Sequence, residues 1–139
     1  MEKEEAIKKS LELIKRSKIV LLGTNSEDGY PNIKALLNLE TEGLKTIWLS
    51  TNTSSKRVRQ IKENPKACVY YVDESQFVGL MLLGKIEILN DRQSRKKLWR
   101  DGYEKYYRAG IDDPDYSVLR VTSERANFYY GLSNVSFEV

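Results

Sequence analysis

The residues with the richest chemistry lie in one run, Ser50-Thr51-Asn52-Thr53-Ser54-Ser55-Lys56-Arg57-Val58-Arg59, which passes from an apolar stretch through a hydroxyl-rich turn into a short helical segment. Helix N-termini expose unpaired N–H groups and the positive end of the macrodipole, so they favour acidic side chains. This helix opens instead with Lys56, Arg57 and Arg59. Each such cation, if exposed, costs about 0.3–1 kcal/mol. A bound anion reverses the sign by accepting hydrogen bonds from Ser54, Ser55, the free N–H groups and the cations together, and a phosphate fits that description. In the alternative, Ser54 or Asn52 caps the helix while water solvates the cations; sequence alone leaves both open. Lys34 adds a cation on a neighbouring strand where a phosphate-bearing ligand would meet it, although pairing with Glu40 or another surface acid is the plainer role for that side chain.

Composition removes most competing chemistries. The 139 residues include no His and one Cys, which excludes Ser-His-Asp and Cys-His triads, His-ligated metals and any internal disulfide. Cys68 lies in an apolar run with no cation beside it, as a small buried hydrophobe would. Asp112-Asp113-Pro114-Asp115 lacks the ligand spacing and glycine of a calcium loop and reads as a solvated turn. With 23 Lys and Arg against 20 Asp and Glu, the net charge of +3 does not choose a partner. The apolar run Phe77 to Leu83 is far shorter than the roughly 20 residues that span a bilayer. Met1 is followed by Glu2-Lys3-Glu4-Glu5 rather than a leader's apolar segment, so the cytoplasm is the expected compartment.

The elements that must position these residues are short and mostly extended. Residues 2–18 are rich in helix formers, with Ile7, Leu11 and Ile14 at i, i+4, i+7. A strand over Ile19 to Leu22, turn residues Asn25 to Pro31 and a second strand make a hairpin. In that second strand Ile33, Ala35, Leu37 and Leu39 alternate with Lys34, so Lys34 is expected to point away from the apolar face. Leu44 to Ser50 is a third strand, and Lys56 to Glu63 a helix that Asn64-Pro65 ends. Ala67–Val72 and Phe77–Leu89 follow as strands, the latter bent at Gly79 or Gly84. Asp91 caps a helix carrying Leu98 and Trp99, Tyr103 to Tyr107 is loosely helical, and Ser117–Thr122 and Arg125–Tyr130 are two closing strands. One mainly β domain over residues 1–139, an antiparallel barrel with peripheral helices, accounts for this order.

Gly29-Tyr30-Pro31, Lys34-Ala35-Leu36-Leu37, Ser50-Thr51-Asn52, Ser55-Lys56-Arg57, Asn64-Pro65 and Gly84-Lys85-Ile86-Glu87 resemble, in that order, the motifs of the pyridoxamine 5'-phosphate oxidase-related, FMN-binding split-barrel family. Leu98-Trp99 and Asp112 to Asp115 are similar to its general stress protein 26 subgroup. The resemblance implies a split barrel with FMN held at a homodimer interface. It places Lys34 where the oxidases have an arginine, the backbone of Ala35 and Leu36 against the flavin, Ser50 and Thr51 at the ring or ribityl chain, and Ser55, Lys56 and Arg57 at the phosphate. The oxidases carry Arg then Lys at the last pair, a lysine where Leu39 stands and a glutamine where Gly79 stands, and they hold pyridoxine phosphate with a C-terminal Arg and His. With no His in this chain, FMN binding is the expected inheritance rather than pyridoxamine phosphate oxidation.

Three functions follow as expectations. The first is an FMN-dependent oxidoreductase acting on a small molecule, with Trp99, Tyr103, Tyr106 or Tyr107 as aromatics that cover the flavin or belong to the core. The second is a non-catalytic FMN-binding stress or sensor module. The third, nucleic-acid binding through Lys56-Arg57-Arg59-Lys62 and Arg92-Arg95-Lys96-Lys97-Arg100, is disfavoured because acidic runs offset the charge and no aromatics interleave the basic ones. The same phosphate-gripping segment also suits a deazaflavin, and a haem ligand is disfavoured without His.

Overall fold

Helix α1 (Lys3–Arg16) forms where good helix formers run unbroken, with Glu4 and Glu5 in its first turn and Lys15 and Arg16 in its last, as the macrodipole favours. The computed structural model describes residues 1–139, and the rest of the chain is mainly strand. The helix buries Ala6, Ser10, Leu13 and Ile14; of the expected Ile7, Leu11 and Ile14 stripe, Ile14 is buried and Ile7 packs against the core, while Leu11 is exposed. Ser10 is tolerated inside because its hydroxyl donates to the Ala6 carbonyl at 2.6 Å.

Eight strands make one antiparallel sheet: β1 (Ile19–Asn25), β2 (Pro31–Leu37), β3 (Glu40–Glu42), β4 (Thr46–Asn52), β5 (Lys66–Asp73), β6 (Val78–Leu89), β7 (Tyr116–Tyr130) and β8 (Ser133–Glu138). The order is β2-β1-β5-β6-β7-β4-β3, with β8 also on β7. Helix α2 (Lys56–Glu63) links β4 to β5, and α3 (Arg92–Leu98) follows β6 with Asp91 as its N-cap. The sheet curls into a half-barrel around a core that includes Leu22, Leu49, Tyr71, Leu82, Leu119 and Phe128. This is the mainly β split-barrel architecture expected from the sequence. No helix is long and apolar enough to cross a membrane.

Where two closing strands were expected, β7 is continuous from Tyr116 to Tyr130. Its first half pairs with β4 and its second half with β8, while β6 flanks it throughout. The pairing with β6 shifts register at Leu83/Gly84, so Glu124 is bulged out and the strand bends instead of breaking. Strand β8 was not anticipated, although it forms a hairpin with the adjoining half of β7 across the two-residue turn Gly131-Leu132. The positive-φ glycine and the alternation of Val135 and Phe137 with Asn134 and Ser136 were its local signal.

The strand after the first hairpin also departs from expectation. It ends at Leu37, because Asn38 turns its side chain to donate to the carbonyls of Ile14 and Ser17 and accepts from the Tyr71 hydroxyl. Its facing is reversed: Ile33 and Leu37 are 70% and 51% exposed, while Leu36 packs on the core and Lys34 shares its side. Period-two alternation identifies an apolar row, but both faces of this sheet carry one. The register places Ile33, Ala35 and Leu37 beside Ile19 and Leu21, then Cys68, Tyr70 and Val72, then Met81 and Leu83, on one outer face. Cys68 belongs to that face, half-buried, rather than to the core.

The curl depends on Gly84. A Cβ there would lie 2.0 Å from the Thr122 carbonyl oxygen and 2.8 Å from its carbon, both backbone atoms that cannot rotate away. Gly84→Ala is therefore expected to destabilise the fold by about 3 kcal/mol. The check is a urea denaturation midpoint that falls while the slope stays constant.

Candidate functional site

The Ser-Thr-rich run leaves β4 and folds back as a helix because Ser55 takes the N-cap, its hydroxyl accepting from the Val58 N–H, and α2 then buries Val58, Gln60 and Ile61. With those residues turned inward, Lys56, Arg57 and Gln60, at i, i+1 and i+4, line a cavity against the inner row of the first hairpin. The cavity, about 190 Å³, is bounded by Leu22 and Thr24 of β1, Asn32, Ile33 and Lys34 of β2, and the three residues of α2. Three cations and no carboxylate line it.

Arg57 is the best-anchored of the three. Its Nη2 donates to the Thr51 hydroxyl at 2.6 Å, which fixes the guanidinium plane, while its Nε–H is buried and has no partner. Burial lowers the Arg57 pKa somewhat, but a guanidinium stays charged at any ordinary pH. An unpaired buried donor on a charged group costs stability unless something accepts it. Thr24 and Gln60, both buried, pair across the cavity wall, the Thr24 hydroxyl donating to Gln60 Oε1 at 2.6 Å.

Residues distant in sequence tie down the turn ahead of α2. The Thr53 N–H donates to the Asp115 carbonyl at 2.7 Å and the Ser54 N–H to the Asp115 carboxylate at 2.8 Å. The hydroxyls of Thr53 and Ser117 meet at 2.6 Å, and the Tyr107 hydroxyl donates to Asn52 Oδ1 at 2.7 Å. The Ser54 N–H is thus already engaged, and the donors turned to the cavity are side chains. Tyr107 in turn packs on Trp99 and Tyr116, with ring centroids 6.2 and 5.0 Å away, in a second small core with Leu98 and Trp48. Trp99, Tyr103 and Tyr107 therefore build the wall that steadies the turn, whereas Tyr106 is exposed.

Of the residues singled out in the sequence, Lys34, Lys56 and Arg57 come together on the cavity, Thr51 orients Arg57, and Ser55 caps the helix. Leu36 packs on the core, Ala35 lies on the outer face of the edge strand β2, and Ser50 lies across β4 from Thr51. Lys34 makes no ion pair with Glu40, which lies 3.8 Å from Arg100 instead. The second basic run is spent internally: Arg92 pairs with Asp112, Lys97 with Glu42, and buried Arg95 donates to the carbonyls of Ile111 and Asp113. Thr24, Asn32 and Gln60 were missed by sequence reasoning. For Gln60 the signal was its i+4 spacing from Lys56; for Thr24 and Asn32 it was the hairpin register that pairs them.

Tyrosine ionisation reports on this packing. Burial pushes Tyr116, whose hydroxyl donates to the Arg95 carbonyl, up to about 12, and raises Tyr107 as well. An unfolded tyrosine loses its proton near pH 10, so above that pH the folded chain holds more protons than the unfolded one and stability falls as pH rises. Denaturation midpoints measured from pH 9 to 12 are expected to decline across this window, with tyrosinate absorbance lagging that of the unfolded chain.

The sequence matches the family described as pyridoxamine 5'-phosphate oxidase over residues 6–130. A solved structure of a protein from Clostridium acetobutylicum related to general stress protein 26 of Bacillus subtilis is similar to this chain at 53% identity and a TM-score of 0.90, covering 99% of this chain and 97% of that one. The general stress protein 26 of Bacillus anthracis is similar in fold at 17% identity and a TM-score of 0.79, with 100% of both chains covered. A haem-binding protein of Mycobacterium smegmatis shares the fold at 19% identity and a TM-score of 0.78, covering 96% of this chain and 57% of that one. No curated protein matches the sequence. The motif order in the sequence, the half-barrel and the match over residues 6–130 agree, and the chain belongs to the pyridoxamine 5'-phosphate oxidase family.

Proposed function

We propose that this protein binds FMN through the α2 cavity and acts as an FMN-dependent oxidoreductase on a small molecule. The observation that carries this reading is the cavity's donor set: Lys34, Lys56 and Arg57, no carboxylate, and a buried Arg57 Nε–H that lacks an acceptor. A phosphomonoester is dianionic and acceptor-only, so it suits such a set, and planar Arg57 can hold two of its oxygens. In this reading Thr51 holds the guanidinium in plane, Ser55 keeps the helix start in place, and Lys34 closes the phosphate from the β2 side. Ser50 and the backbone of Ala35 and Leu36, the latter on a strand with one free edge, serve the flavin beyond the phosphate. A bound flavin supplies hydride transfer, and the protein supplies orientation, electrostatics and exclusion of water. A chain without His is compatible with that division of labour.

The same reading calls for a homodimer. Cavities that enclose a drug-sized ligand run from about 300 to 1,000 Å³. The 190 Å³ here accommodates a phosphate and the adjoining chain, leaving the ring to be covered by other surface. The outer sheet face, with Ile33 70%, Leu37 51% and Val72 51% exposed, is an apolar expanse of the kind that a second copy covers.

Three measurements test this. FMN added to the protein should shift its visible spectrum and bind far more tightly than riboflavin, and reduced nicotinamide with an added acceptor should then give sustained turnover. Reduction without turnover would favour the sensor role, and binding of haem in place of flavin would overturn the cofactor. Lys56→Ala with Arg57→Ala removes two charge-assisted contacts worth about 1.5–3 kcal/mol each. FMN affinity is expected to fall by at least about a hundredfold, with unchanged affinity placing the phosphate elsewhere. Sedimentation should show a dimer that Ile33→Glu disrupts; a monomer that binds FMN at full strength would refute the shared site.

A further inference from the structure

Gln60 stands apart from the cations on the cavity wall. It is a helix residue only 8% exposed, and its side chain reaches the cavity between Lys56 and Arg57 on α2 and Thr24 on β1. Buried amides need partners at both ends. The oxygen end has one, since Oε1 accepts from the Thr24 hydroxyl at 2.6 Å, while the Nε2 end makes no hydrogen bond within the protein and opens toward solvent. Thr24 is itself 3% exposed on a strand, so its hydroxyl holds the oxygen end of the amide at a fixed place on the wall. In this pairing the Nε2 donors are the free end of the amide, beside the cavity. On the same wall lies the buried donor of the site that lacks an acceptor, the Arg57 Nε–H. The neighbouring groove shares Lys56 and Gln60 and is lined by Glu27, Asp28 and Glu63, so Gln60 stands where a cationic surface meets an acidic one.

We infer that Gln60 is a ligand-binding and specificity residue of the site, donating from Nε2 to a phosphate oxygen, with Thr24 as the positioning residue that sets the direction of its amide. The inference rests on the phosphate reading above and deepens it. A wall of three cations with the amide's donor end beside them favours a group whose oxygens are acceptors and carry negative charge. A phosphomonoester meets that condition; a hydroxyl or carboxamide end of similar size leaves donors facing donors, and a neutral ligand leaves the charges unmet. Gln60 thus adds selectivity that charge alone does not, because Lys and Arg attract any anion while the fixed amide rewards one whose oxygens are all acceptors.

The test compares FMN and riboflavin, two ligands that differ by the phosphate, using fluorescence titration of the full chain. For the wild type, FMN should bind much more tightly than riboflavin, and inorganic phosphate should compete with FMN. Gln60→Leu, which keeps size and burial but removes the amide, is expected to lower the FMN-to-riboflavin affinity ratio at least about tenfold, the size of one lost hydrogen bond to a charged group. Gln60→Glu should lower it further, because a carboxylate would satisfy Arg57 from within and repel the phosphate. Thr24→Val leaves Gln60 in place and frees its amide to turn, so a smaller loss in the same direction is expected; it also decides the matter if the Gln60 variants fail to fold. Ratios within about twofold of wild type in the folded variants overturn the role of Gln60 while leaving the phosphate site standing. A wild type that binds FMN and riboflavin equally overturns the phosphate site, and the role of Gln60 with it.

Discussion

The Thr122 carbonyl passes so close to the Cα of Gly84 that no side chain fits between them, and from that contact the half-barrel follows. Strands β6 and β7 are the longest in the sheet, and flat strands of such length would leave the two ends of the sheet far apart. The register shift at Leu83/Gly84 bends both at one place. The bend carries β4, paired to the first half of β7, toward β2 on the opposite edge of the sheet. Only then does α2, leaving β4, lie across the first hairpin, with Arg57 held to Thr51 on one side and Gln60 to Thr24 on the other.

The cavity that results runs against ordinary helix energetics. Acidic residues are absent from the first turn of α2 and three cations occupy it, an arrangement that weakens the helix in isolation. Stabilisation comes from elsewhere: a Ser55 cap, burial of Val58 and Ile61, and a turn lashed to Asp115, Ser117 and Tyr107. The aromatic cluster around Trp99 and Tyr116 acts at one remove, by making the far end of those ties rigid. Local instability retained beside a well-supported frame is typical of a site built for a ligand.

The sheet's two faces explain why the hairpin was misread. In a sheet with one wet face, an alternating apolar row marks the inside. Here β1, β5 and β6 are apolar on both sides, so the row Ile33, Ala35, Leu37 fits the pattern of a buried face and yet lies outward. The same two-sidedness hides Cys68 in a run that reads as core. A strand of this kind records that two surfaces need cover, and the chain's own core accounts for one of them.

Local chemistry determined a good deal by itself. The propensity of α2, its stop at Asn64-Pro65, the Asp91 cap of α3 and the unfavourable run of cations all depend on neighbours within a few residues, so they were legible in order along the chain. The cap of α2, by contrast, falls on Ser55 rather than on the expected Ser54 or Asn52. The motifs that placed Lys34, Lys56 and Arg57 at one site were legible for the same reason. The tertiary structure alone decided which face of β2 turns inward, that β7 is one bent strand, and that Thr24, Asn32 and Gln60 join the cavity. Each of these depends on pairings between residues far apart in sequence, above all the approach of Thr122 to Gly84. The energy of such a contact belongs to the assembled sheet, and no window of sequence contains it.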